Sequence, residues 1–533
     1  MPRITFIPAG KIIDADEGES IRDAALRAGV EIVSPCLGYG ICGKCLVRIA
    51  SGDVSGEVDD RNLSLACRSF PLSDCVVEVP STLEMKEVQA LGRVGRGALK
   101  WCDLDPPAFS SGLTDGDALG VAIDLGTTSI VAALASLASG EIESVSSRTN
   151  PQARFGDDVI SRIGHAGTPG GLSELQKAVV ECLNELIDEL AEKAAARTEK
   201  IADVVVSGNA TMMHLLLGIS PARLGTAPYE PAFRTHDPVP LQRIGITGNT
   251  EAKARLLPNI AGFVGGDTVA GILATGMHRS ATLRIFIDIG TNGEIAVGNS
   301  RRLVASSAAA GPALEGGRIE KGMRAVEGAI DHVRIDDDVR VSTIGGGPPG
   351  GICGSGVIEA VAGMLSAGLI HPDGRLATSD EILSLPDALA RRLDGVGAKR
   401  RFVLSSTSQG PIYLTQKDIT EVQLAKAAIR AATEILLEEW GAGIEDVAEL
   451  LVAGAFGYHL GAREILRIGL IPSLPAEKVS FVGNTSLEGA LGVLLSRKAS
   501  DEAFRIADDV EFVELANRQD FQDAFVRSLA FPF

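Results

Sequence analysis

The chain has 533 residues, enough for three or four compact units of ~150 residues, each able to bury its own core. Its 50 Lys+Arg against 69 Asp+Glu leave a formal charge of −19, with no basic patch of the kind a nucleic-acid partner requires. A hydrophobic content of 45% with 22% charged residues excludes global disorder. No apolar run of 18 or more residues and no leader-like start is present, so a cytoplasmic protein that does not enter a membrane is expected.

Residues 1–82 read as a small β-rich unit. Ile4–Ile7 and Lys11–Ile13 are short strands around Ala9-Gly10. Ser20–Ala28 is a helix, with Ile21, Ala24, Ala25 and Ala28 on one face and Gly29 as its stop. A cysteine- and glycine-rich loop follows, then strands at Cys45–Ile49 and Val76–Val79, closed by Pro80. Residues 83–117 carry Gly, Pro and Ser without sustained periodicity and read as a linker, with one helical turn near Glu84–Leu91.

From Gly120 onward strands and helices alternate, as in α/β domains. Ser173–Leu190 is amphipathic, with Ser173 and Gln176 spaced as a capping box and Leu175, Val179, Leu183, Leu186 and Leu190 on one face. A second long helix is expected over Asp418–Trp440, with Leu424, Ala428, Ala432, Ile435 and Leu436 inward and Gly441 as its stop. A weak internal repeat pairs LGVAIDLGTTSIVAA at 119–133 with RIFIDIGTNGEIAVG at 284–298. The duplicated hairpin suggests two related lobes, 118–281 and 282–533.

Chemistry concentrates in two places. The first is Cys36-x5-Cys42-x2-Cys45-x21-Cys67, with Gly38, Gly40 and Gly43 in the loop. Four thiolates on such turns can hold an iron–sulfur cluster, and a four-thiolate zinc site is the alternative, although only one C-x2-C knuckle is present. The second is the repeated Asp-x-Gly-Thr hairpin: Asp124, Gly126, Thr127 and Thr128, then Asp288, Gly290, Thr291 and Asn292. Glycine lets backbone approach a phosphate, N–H and hydroxyl groups donate to its oxygens, and an aspartate can hold hydrated Mg²⁺. A single copy would read equally as a plain turn; two copies after apolar strands favour a nucleotide cleft. No GxxxxGK[ST] loop occurs. His214, in NATMMHLLLG, reads as structural.

Residues 3–80 resemble the adrenodoxin/plant-type 2Fe–2S ferredoxin family, nearer the adrenodoxin-like branch because of the x5 spacing. The resemblance implies a β-grasp α+β fold with Cys36, Cys42, Cys45 and Cys67 as cluster ligands. Cys75, Cys102, Cys182 and Cys353 stand outside the pattern, Cys182 as a core residue. The two hairpins resemble those of the acetate and sugar kinase/heat-shock chaperone/actin superfamily, whose two α/β lobes clamp ATP. On that resemblance Asp267, in Gly265-Gly266-Asp267 ahead of the Thr268–Ala274 helix, is the catalytic base or water-positioner; a helix cap is its plainer reading. Leu450–Gly457 corresponds to the adenosine loop, placing Gly454 and Ala455 at the nucleotide. Gly351–Gly356 opens a helix at Val357 and places Gly354 and Ser355 there too, although a plain helix-start loop reads the same way.

The fusion of the two, with SGNATMMHLLLG (207–218), AAGPALEGGRIEKGMRA (309–325) and VGNTSLEGA (482–490), closely resembles the reductive activators of corrinoid proteins. That resemblance implies ATP, Mg²⁺ and a 2Fe–2S cluster, and an electron passed to Co(II) of a corrinoid protein such as a methyltransferase or methionine-synthase module. An upstream electron donor is implied as well, and a homodimer is allowed. The alternatives are an ATP-gated donor to another low-potential enzyme, or a non-catalytic redox-sensing scaffold that binds nucleotide.

Overall fold

The computed structural model describes residues 2–7, 10–16, 18–28, 30, 32, 45–56, 58, 62–79, 99, 101–106, 118–378, 380–382, 385–408, 410–454 and 461–532. Pro80, the turn expected at Glu84–Leu91 and most of 83–117 lie outside these residues.

The N-terminal sheet has five strands in the order Lys11–Asp14, Arg3–Ile7, Cys75–Glu78, Leu46–Ser51, Leu63–Leu65. Arg3–Ile7 pairs antiparallel with its hairpin partner and parallel with Cys75–Glu78. The helix Ile21–Arg27 packs on this sheet, and Ile4, Phe6, Ile21, Ala24, Ala25, Val47 and Val77 form the core. This is the β-grasp arrangement. Ser20 stands just before the helix, and its hydroxyl accepts from the Asp23 backbone N–H at 3.2 Å.

Two six-stranded sheets follow, and they repeat one pattern. In the first, the antiparallel meander Leu119–Leu125, Ser129–Ser136, Ile142–Thr149 is continued on its other side by Ile201–Gly208 and Lys253–Leu256, both parallel to their inner neighbours. In the second, Arg284–Ile289, Gly293–Gly298 and Leu303–Ala308 form the meander, continued by Glu449–Ala453 and Val479–Gly483. Both therefore run third, second, first, fourth, fifth. The short sequence repeat is the visible remnant of two equivalent lobes.

Each sheet covers one face with its own helix, Gly171–Lys193 on the first and Gln416–Trp440 on the second. The other faces meet the helices Gly266–Thr275 and Thr485–Leu495, with residues of both sheets in one core. The packing there depends on glycine. A methyl at Gly489 would lie 2.5 Å from the Ala270 backbone, and one at Gly271 would lie 2.3 Å from the Phe286 ring.

Two helix expectations need correction. The Ser173–Gln176 capping box does not form: the helix starts at Gly171 after Gly170 at φ 81°, and Gln176 donates to the Leu216 carbonyl instead. The second helix begins at Gln416, capped by reciprocal bonds between Thr415 and Asp418, and Leu424 faces outward at 40% exposure. Its neighbour Ala425 takes the inward place. The period is blurred because the C-terminal segment covers a further face, with Gln423 donating to the Leu529 carbonyl and Lys426 to that of Ala530.

Candidate functional site

Cys36 and Cys42 lie outside the described residues. Cys45 precedes the strand Leu46–Ser51 and Cys67 follows Leu63–Leu65, and the pairing of these strands brings the two sulfurs to 3.1 Å. The Cys67 backbone N–H also points at Cys45 Sγ at 3.4 Å. Two buried thiols outside any disulfide, with an amide directed at one of them, fit half of a four-thiolate cluster site. Cys75 stands outside the spacing pattern; burial, then the charge of Asp74, pushes its thiol up to about 11, and it shares the module's core with Cys45 and Cys67. Cys182 is likewise buried on the sheet face of its helix.

The two Asp-x-Gly-Thr hairpins face one cleft, whose lining includes Asp124, Gly126, Thr127, Thr128, Asp288, Gly290, Thr291, Asn292, Asp267, Gly354, Ser355 and Gly454. Ala455 lies outside the described residues. The glycines have distinct reasons. A methyl at Gly126 would sit 2.5 Å from the Ser129 carbonyl oxygen, so the turn itself demands glycine. At Gly290 a methyl would meet the Asn292 carbonyl at 3.5 Å and Glu315 Oε1 at 3.6 Å, ordinary contacts, so packing alone does not demand glycine there. Gly454 has φ +97°, and a methyl there would meet Asp288 Oδ1 at 2.8 Å.

The first hairpin is braced from below. Buried Arg162 donates to the Thr127 carbonyl at 2.7 Å, Asn150 to that of Gly126 at 2.8 Å, and Asn209 to the Thr127 hydroxyl at 3.0 Å. Asp124 is held by two residues ahead of and inside the Thr485–Leu495 helix: Asn484 donates at 2.9 Å and Ser486 at 2.7 Å. Glu315 joins the lobes. Its carboxylate accepts from the Thr128 hydroxyl at 3.0 Å and from the Thr291 hydroxyl at 3.1 Å.

Asp267 sits in the first turn of Gly266–Thr275, where Gly265 holds the cap position, and accepts from the Thr268 N–H at 2.8 Å. Burial, then the charge of Asp124, pushes its carboxyl up to about 6. Asp288 is pushed to about 8 by burial and then by Asp267, Asp124 and Glu315. Glu294 is raised well above the usual range by burial and by Asp267 and Asp288. Burial also raises Asp124 and Glu315, against the hydroxyl and amide donors that hold them. Such a gathering of carboxylates favours a divalent cation. Among the described residues no three of these groups converge closely enough to ligate a metal directly.

Sequence reasoning did not single out Glu294, Glu315, Asn209, Asn484 or Ser486. A signal existed for each. Glu294 stands where the first repeat has Ile130, and the others fall inside the three characteristic segments at 207–218, 309–325 and 482–490. Ser355 reaches the cleft wall, but its hydroxyl donates to the Asp331 carbonyl at 3.0 Å, leaving backbone as its means of meeting a ligand. His214 is structural: buried, bonded to the Ala210 carbonyl and the Ala232 N–H, and stacked on Phe233.

A 2Fe–2S-type module joined to a two-lobed, actin-like nucleotide cleft defines the class: a redox protein coupled to a nucleotide-binding machine. Residues 4–72 match the 2Fe-2S iron-sulfur cluster binding domain, 119–280 the RACo middle region, and 282–533 the C-terminal domain of RACo, the ASKHA domain. The corrinoid activation enzyme RamQ of Eubacterium limosum is 36% identical, over 77% of this chain and 70% of its own. The [Co(II) methylated amine-specific corrinoid protein] reductase of Methanosarcina barkeri is 30% identical over 51% of each. The solved structure of a reductive activator for a corrinoid, iron-sulfur protein superposes with a TM-score of 0.73 at 32% identity, covering 100% of this chain and 98% of that one. The chain belongs to the family of reductive activators of corrinoid proteins.

Proposed function

We propose that the protein passes one electron from a 2Fe–2S cluster to the inactive Co(II) state of a corrinoid protein, regenerating Co(I), with ATP driving the step. The observation that carries this reading is the pair of equivalent sheets framing a carboxylate-rich cleft, in one chain with a module whose Cys45 and Cys67 sulfurs converge. When bound, the cluster supplies one-electron chemistry. Cys36, Cys42, Cys45 and Cys67 would hold it, and an upstream donor must reload it.

Returning an electron to cobalt is uphill from an ordinary ferredoxin-type donor, and each ~60 mV of a one-electron gap corresponds to ~1.4 kcal/mol. Closure of two lobes on a nucleotide offsets such a gap only if the closed form favours the reduced target. In the cleft, the hydroxyls and backbone of both hairpins would bind the phosphates, and Asp124 and Asp288 would hold Mg²⁺, which when bound would neutralise charge on the phosphate oxygens. Asp267, in its first helical turn, orients the attacking water and accepts its proton. Gly354 and Gly454 border the rest of the nucleotide.

The layout that fits is a ferredoxin module at 1–82, a linker at 83–117, and lobes at 118–281 and 282–533. No helix among the described residues is long and apolar enough to cross a membrane. A cytoplasmic setting, where clustered thiols stay reduced, suits the chemistry. A methyltransferase or methionine-synthase corrinoid module is the partner class, and a homodimer is compatible with the scheme without being required by it.

The deciding test is Asp288→Ala with the cluster spectrum as a control. ATPase and ATP-stimulated reduction of cob(II)alamin-loaded partner should vanish while the spectrum persists. Retained ATP-stimulated reduction would overturn the mechanism.

A further inference from the structure

Residues within the stretch read as linker are packed on the ATPase. Leu99, Trp101 and Cys102 lie against the core that holds the two inter-lobe helices. The Trp101 ring fills the place of a missing side chain: a methyl at Gly492 would be 2.2 Å from Cη2 and 2.6 Å from Cζ2. Four residues on, Asp105 is strapped to the end of the same helix. Its N–H donates to the Leu495 carbonyl at 2.9 Å, its carbonyl accepts from the Arg497 N–H at 2.8 Å, and it forms a parallel bridge to Ser496. The Arg497 guanidinium closes the strap with bonds of 3.0 and 2.7 Å to the Asp105 carboxylate.

That helix, Thr485–Leu495, is about 16 Å long at 1.5 Å per residue. Its other end is in the nucleotide site, where Asn484 and Ser486 hold both oxygens of Asp124. Along its length Gly489 abuts Ala270 of the helix that carries Asp267. One rigid element thus has the nucleotide-facing aspartate at its N-terminus and the chain leading to the cysteine module at its C-terminus. The contacts at both ends are short and directional, so a shift of the rod cannot leave either end unmoved.

We propose that Trp101 and Asp105 couple nucleotide occupancy to the iron–sulfur module, the Thr485–Leu495 helix transmitting movement at Asp124 to the attachment point of the linker. The two are positioning residues. They touch neither nucleotide nor cluster, and they set where the electron-carrying module is tethered for each state of the cleft. This rests on the reading of the cleft as a nucleotide site.

The chain has two tryptophans, Trp101 and Trp440, and Trp440 lies at the end of another helix with its indole N–H on the Arg302 carbonyl. Trp440→Phe protein therefore reports on Trp101 alone. With its cluster in place, titration with Mg·ATP should give a saturable shift in Trp101 emission with the midpoint found by calorimetry. Calorimetric binding with no emission change overturns this proposal and leaves the proposed function standing; absence of binding overturns both. In parallel, Trp101→Phe and the surface change Arg497→Ala should keep basal ATPase, while cobalt reduction with ATP falls to the nucleotide-free rate. Full ATP stimulation in both variants overturns the coupling.

Discussion

Asp288 and Glu294 lie directly opposite one another across the second phosphate hairpin, in a row continued by Ala453 on one side and Ser307 on the other. In the first hairpin the residue opposite Asp124 is Val131. The second turn is one residue tighter, and that slip sets a carboxylate beside a carboxylate. Like charges so placed are destabilising by up to ~1 kcal/mol unless a cation or proton intervenes.

Glu294→Gln is therefore expected to raise the stability of the metal-free protein by up to about 1 kcal/mol only above pH about 8, where Asp288 has lost its proton, and to weaken Mg²⁺-dependent nucleotide binding. Thermal unfolding with and without Mg·ATP measures both. An equal gain under the two conditions would contradict a role in cation binding.

The raised carboxyls also set a pH dependence. Asp267 and Asp288 hold protons in the folded chain up to about 6 and about 8, above the ordinary carboxylate range near 4. The folded state thus binds more protons than the unfolded one in this window, so stability falls as pH rises from about 4 to about 8. Asp267 contributes up to about 6 and Asp288 up to about 8, and the raised carboxyl of Glu294 acts in the same direction. Denaturant midpoints of the nucleotide-free protein at pH 5 and pH 8 should show the fall, and saturating Mg·ATP should flatten it.

Glu315 occupies the hydroxyls of Thr128 and Thr291 that a phosphate would use. Two anions cannot share these donors. Glu315→Gln, which keeps the shape and loses the charge, is expected to bind nucleotide more tightly by about tenfold or more, since hydrogen bonds to charged groups contribute about 1.5–3 kcal/mol and each ~1.4 kcal/mol is tenfold. Calorimetry reads the change, and an unaltered Kd would refute the competition.

Gly454→Ala adds a methyl at φ +97°, between the Ile289 carbonyl and Asp288 Oδ1. A cost of about 1–2 kcal/mol in stability is expected from the backbone alone. ATPase should fall further than stability does, because Asp288 is displaced. Activity assayed well below the melting temperature separates the two effects.

Cys67→Ser is expected to abolish the cluster's visible absorbance and cobalt reduction while leaving basal ATPase near its original level. Cys75→Ser should keep the spectrum, since Cys75 stands outside the Cys-x5-Cys-x2-Cys-x21-Cys spacing. Loss of the spectrum in the second variant would place Cys75 among the ligands.

The modules, the cysteine spacing and the duplicated hairpins were legible in sequence because each is local. Periodicity marks a buried face, glycine and threonine mark a phosphate turn, and thiol spacing marks a loop that can wrap a cluster. Leu424 shows the limit of such reading. Its periodic neighbours are buried, but the face is shifted by a C-terminal segment that reaches Gln423 and Lys426 from over a hundred residues away.

The sequence by itself pointed to an iron–sulfur module fused to a two-lobed nucleotide cleft, through thiol spacing, a repeated hairpin and the family resemblance they carry, because such signals need only neighbouring residues to be read. Only the tertiary structure decided which carboxylates share the cleft, that Glu315 ties its two hairpins, and that Trp101 rests on the helix holding Asp124. Those relationships join segments up to about 390 residues apart, as between Asp105 and Arg497. Hairpin register and helix packing create them, and neither leaves a local trace in the chain.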